Sequence, residues 1–226
     1  MGMHLAFVAA RTNVTRLREA FLRAWPQYEL AATTEHLENA NAMEAWKDSH
    51  QQEVMVADWS KDNPGRMVFM FWRDGPWATF MDEGYTHATD HDALKRLSAE
   101  VGTVIAIVVE SASGSAHFSS CESGQLRRAI DNSDTDVTTE GEPLLQEAGI
   151  DISKYYMDES EALWLAFGLS PFDALPTSHD CQAICVIDRT DYSDLLKPAR
   201  DRSLSPAPQS PRSAPATPKR PWWQFW

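Results

Sequence analysis

The chain has 226 residues, 33 of them acidic and 20 basic, for a net charge of −13. With 43% apolar residues it carries enough core for one ordinary domain or two small ones, which excludes a wholly disordered acidic chain and a collagen-like repeat. Three cysteines are too few for a disulfide scaffold and point to a reducing cytoplasm. No apolar run reaches the roughly 18 residues of a membrane-spanning helix.

Residues 4–10 read as a buried strand rather than a leader, since no basic residue precedes them. Asn13 caps a helix in which Val14, Leu17, Phe21, Ala24 and Trp25 recur at three- and four-residue spacing, and Pro26 ends it. Residues 28–33 form a weaker strand, 38–49 a helix around Met43 and Trp46, and 53–58 a further strand. Residues 66–72 and 77–81 flank the turn residues Arg73, Asp74, Gly75 and Pro76 and predict a hairpin. The unbroken apolar run from Met67 to Trp72 predicts burial on both faces. Thr89 or Asp90 caps a helix through Leu94, Leu97 and Val101, closed by Gly102. A meander follows, with strands at 104–109, 115–121, 125–130 and 135–139 and turn chemistry between them. Asp158 with Glu161 reads as a capping box for a helix carrying Leu163, Trp164 and Phe167, and 183–187 is a last strand. This order predicts an α+β fold, a mixed or antiparallel sheet with two to four helices. No glycine-rich phosphate loop follows the first strand, so a nucleotide-binding α/β unit is unsupported.

Charge divides the chain. Residues 1–196 hold 32 acids and 14 bases, a net −18, whereas 197–226 hold six bases and one acid, a net +5. Seven of the thirteen prolines fall in those last thirty residues, a composition that cannot bury enough apolar surface to offset its ordering entropy. The organisation expected is an acidic globular body over 1–196, divisible at 86/87, followed by a disordered, basic, Pro-rich linker over 197–226 with an aromatic tip.

The body offers several constellations that mimic chemistry. His87, Asp90, His91 and Asp92 are the densest set of metal-ligand types, but a helix cap falls between the two histidines, so the acids read as capping and first-turn residues. The stretch from Asp131 to Glu142 resembles a calcium loop but has Asp136 where the sharp turn needs glycine. Cys181 and Cys185 share a strand face about 13 Å apart, too far to bridge, and His117 and Cys121 stand in the same relation. Nucleophile-elbow and zinc-protease motifs do not occur. No catalytic residue, cofactor or metal is therefore assigned.

The candidate site is the tip: Lys219, Arg220, Trp222, Trp223, Phe225 and Trp226. Cations beside tryptophans suit an anionic membrane surface, and in composition these few residues resemble cationic, Trp-rich membrane-active peptides. The same aromatics suit a partner protein's groove, and residues 215–220 fit a proline-rich ligand ending in a base. The acidic body repels nucleic acid and suits a basic protein. The expected function is a non-enzymatic binding or regulatory protein, cytoplasmic and peripheral at a membrane, tethered to a membrane surface or partner protein by its tip. The alternatives are an acidic inhibitor or immunity-type protein neutralising a basic enzyme, and a hydrolase whose site is assembled across the fold.

Overall fold

The computed structural model describes residues 4–38, 40–54, 63–133, 136–172 and 181–192. The elements run β1 (His4–Ala10), α1 (Val14–Ala24), β2 (Tyr28–Leu37), α2 (Ala40–His50), β3 (Arg66–Asp74), β4 (Trp77–Met81), α3 (His91–Val101), β5 (Thr103–Glu110), β6 (Ser115–Glu122), β7 (Gln125–Asn132), β8 (Thr138–Gly141), α4 (Met157–Ala166) and β9 (Cys181–Asp188). The fold is α+β. Among the described residues nine strands form one sheet in the order β2-β9-β3-β4-β1-β5-β6-β7-β8, every neighbour antiparallel. The chain divides into a compact unit, Met1–Thr190, and a second unit, Asp191–Trp226. Among the described residues no helix is long and apolar enough to cross a membrane.

Helices cover both faces of the sheet. α1 and α3 lie on one, burying Leu17, Phe21, Leu94 and Leu97 against Ala6, Val8, Phe69, Phe71 and Phe80. Their ends are set by local chemistry: the Asn13 side chain accepts from Arg16 N at 2.8 Å, and Asp90 accepts from Ala93 N at 3.0 Å. Arg96 of α3 donates to the Ala24 carbonyl from Nε at 3.1 Å and Nη2 at 2.9 Å, satisfying an orphan acceptor at the end of α1. The opposite face carries α4, whose Leu163 and Trp164 pack on Phe7, Ile105, Ile107, Phe118 and Ile130. A third cluster joins Met43 of α2 to Leu37, Met70, Cys181 and Ala183. The run in β3 is thus covered on both sides, Phe69 and Phe71 by one core and Met70 by another.

Several boundaries move. β2 extends to Leu37 and β8 begins at Thr138. The strand expected at 53–58 lies mostly outside the described residues; within them, Gln52 bridges Arg66. α4 begins at Met157, so its capping pair is Tyr156 and Glu159, the carboxylate accepting from Tyr156 N at 3.3 Å, and not Asp158 with Glu161. Glu161 instead accepts from Phe172 N at 3.1 Å.

Two features shape the β7 region. The β6–β7 ladder pairs Glu122 with Gln125 and Cys121 with Leu126, then jumps to Ser120 with Arg128. Arg127 is the extra residue of a bulge, so Leu126 and Ala129 face the α1–α3 side while Arg128 and Ile130 face α4. Beyond it, the buried guanidinium of Arg128 forks onto the Glu147 carboxylate at 2.9 and 2.8 Å and donates to the Gly141 carbonyl at 3.0 Å. Glu147, in a 3₁₀ turn at Leu145–Glu147, also accepts from Leu144 N. Gly141 has φ +81, and a Cβ there would collide with the Arg127 carbonyl, so β8 approaches β7 this closely only with glycine.

Candidate functional site

Two histidine constellations arise where α3 follows β4. The first begins at Asp82, the residue after β4, whose N–H donates to the Ala6 carbonyl at 2.9 Å. Its carboxylate accepts three bonds: His87 N–H at 2.7 Å and Ala88 N–H at 2.9 Å on Oδ2, and His87 Nδ1 at 2.7 Å on Oδ1. That last bond places the Nδ1 proton toward Asp82 and turns Nε2 to Tyr28 Oη, 2.7 Å away. Carboxylate, imidazole and phenol thus stand in line, the arrangement by which an acid orients a base and the base meets a hydroxyl. Access decides what it does here. Asp82 is 0% and His87 3% exposed, and Phe21, Trp25, Phe69 and Phe80 ring the imidazole with centroids 4.8–6.5 Å away. The imidazole is almost fully shielded from solvent, so this run of hydrogen bonds is a buried anchor for the crossover from β4 to α3.

The second constellation is nearer the surface. His91 opens α3, and His117 stands on β6 facing it, with Nε2 to Nε2 at 3.3 Å and the rings 29° from parallel. Behind His117, Asp131 Oδ2 lies 3.4 Å from Nδ1. Burial pushes the His117 imidazole below its ordinary titration range, the neighbouring His91 adds to this, and Asp131 opposes it. A two-residue turn without irregularity would pair His117 with Ile130; the Arg127 bulge brings Asp131 opposite instead.

On the α4 side, a cleft of about 400 Å³ is lined by Arg11, Trp77, Thr103, Ser120, Glu122, Arg127 and Phe167, among others. Arg127 Nε pairs with Glu122 Oε2 at 3.3 Å, and Trp77 Nε1 donates to the Phe167 carbonyl at 3.0 Å. Its lining holds Ser120 and Glu122 but no His, Asp or Cys.

Comparison with family models, with curated proteins and with solved structures finds no match to this chain.

The residues singled out in the tip, Lys219, Arg220, Trp222, Trp223, Phe225 and Trp226, lie outside the described residues. In the body, Asp90 does cap α3, with Asp92 in its first turn, and no group of three or more His, Cys, Asp or Glu side chains among the described residues could hold a metal. Neither histidine constellation follows from spacing alone. Asp82 and His87 are five residues apart, but Tyr28 arrives from β2, and His91 meets His117 across 26 residues. The β6–β7 turn alone would set His117 opposite Ile130, so it gives no signal for the contact with Asp131.

All three cysteines are free thiols in buried positions. Burial raises the Cys121 thiol from 9.0 to about 11, with Lys95 opposing, and also raises Cys185. A raised folded-state value means Cys121 contributes its stability fully below pH 9 and loses it as pH rises toward 11, because the unfolded chain gives up its proton first. The native protein is therefore expected to resist Ellman's reagent at pH 8 and to react after denaturation. Its urea midpoint should fall between pH 9 and 11, with a shallower slope in Cys121→Ala. Rapid native labelling or an equal slope would show that these thiols are not sealed.

Proposed function

We propose that this chain is a binding protein whose acidic α+β body is held at an anionic membrane surface by its basic, aromatic tip. One observation carries the reading: the sequence segregates into a body at −18 and a stretch at +5 ending in Trp-Trp-Gln-Phe-Trp. Lysine and arginine near an anionic bilayer contribute on the order of 1 kcal/mol each, and tryptophan favours the headgroup level. The same surface repels the body. Proline-rich chain extends by about 3.1 Å per residue, so the stretch before the tip reaches roughly 60 Å. That far exceeds the screening length of about 8 Å at physiological salt, so tip and body act without opposing each other.

The test is co-sedimentation with phosphatidylcholine vesicles with and without phosphatidylserine. The full chain should pellet with the anionic vesicles, less so at high salt, and removal of residues 219–226 should weaken binding by at least about tenfold. Equal binding by the shortened chain, or none by the full chain, overturns the proposal. A second reading, neutralisation of a cationic protein by the body, is favoured by the same −18. It requires a salt-sensitive complex that survives loss of the tip.

A further inference from the structure

The geometry points to a divalent transition-metal site formed by His91 and His117, with Asp131 as the carboxylate that orients His117. Two imidazole nitrogens bound to one tetrahedral ion at about 2.0–2.1 Å lie about 3.3–3.4 Å apart, and the two Nε2 atoms here are 3.3 Å apart. One nitrogen comes from the first turn of α3 and the other from β6, elements that pack on each other, so the spacing is preset rather than assembled by flexible chain.

Asp131 is the second, independent indication. Metal-bound histidines commonly hand their other ring nitrogen to a carboxylate, which fixes the ring and strengthens it as a ligand. Here Asp131 Oδ2 faces Nδ1 of His117 at 3.4 Å, and it stands there because of the Arg127 bulge.

The positive end of α3 opposes a cation, and the capping Asp90 and the first-turn Asp92 offset this. Lys95 pairs with Asp92 at 3.1 Å. Two protein nitrogens are a minimal set, so water completes the shell and positions remain open to an exogenous ligand. Imidazole ligation selects zinc, copper or nickel over calcium or magnesium, which prefer oxygen.

The test uses the full chain, stripped with chelator, and Zn²⁺ as the probe in titration calorimetry, with Ca²⁺ as control. The expected result is one saturable Zn²⁺ event, weakened at least about tenfold in both His91→Asn and His117→Asn and about tenfold in Asp131→Asn, with no response to Ca²⁺. Circular dichroism of each variant without metal checks folding. Should a histidine variant not fold, protection of His91 and His117 in the unaltered chain from diethylpyrocarbonate by Zn²⁺ replaces it. Zn²⁺ binding unchanged in both histidine variants, absence of binding to the unaltered chain below about 100 μM, or no protection would overturn the proposal.

Discussion

Asp82→Ala is expected to lower the folding stability of the body by about 3–5 kcal/mol, read as a fall in the urea midpoint with an unchanged slope. The carboxylate accepts from two backbone N–H groups and one ring nitrogen, and its removal strands all three donors at once. A buried donor without a partner costs about 1–3 kcal/mol. The Thr86 hydroxyl, 3.3 Å from His87 Nδ1, recovers part of the ring's loss, while the surrounding aromatic rings keep water from the rest. Tyr28→Phe gives the contrast. It removes the bond at the half-buried end and is expected to cost about 1 kcal/mol. A wild-type midpoint in Asp82→Ala would mean that this carboxylate does not hold the β4–α3 crossover.

Arg128→Met is expected to cost a comparable 3–5 kcal/mol, about the penalty for leaving one charge of a buried pair unmatched. Both side chains are nearly sealed, at 5% and 6% exposure, and the guanidinium joins β7, the end of β8 and the 3₁₀ turn at once. The decisive measurement is the double variant Arg128→Met/Glu147→Leu. Removing both charges trades the desolvation cost of the pair for apolar packing, so the double variant should recover much of the loss. Simple additivity of the two single changes would show that the pair is not coupled.

The elements legible in the sequence are those whose determinants are local. Asn13, and Thr89 or Asp90, announced α1 and α3 because a cap and a hydrophobic repeat lie within one stretch of chain, and Asp90 is the residue that caps. The turns at Gly75 and Gly124 fixed two hairpins because a positive φ calls for glycine. What stayed hidden depends on distant partners. Residues 183–187 read as a strand, but nothing in them specifies a place between β2 and β3. The 3₁₀ turn at Leu145–Glu147 carries no periodicity. The carboxylate of Glu147 looked like any surface acid until Arg128 was placed over it. His117 and Asp131 show the limit most directly. An unbroken hairpin would have opposed His117 to Ile130, and no residue type marks Arg127 as the one left over.

The place of β9 also constrains how the protein is made. β2 and β3 are both synthesised long before Cys181, yet each finds its sheet neighbour in β9. A chain emerging from the ribosome must therefore keep two strand edges unpaired until nearly all of the body exists, and edges of that kind are templates for aggregation. Fragments stopping short of residue 181 would keep those edges permanently. Contacts so distant in sequence also make for slow folding, so this body enters its native state late, as a whole, and not as an N-terminal half that waits for its completion.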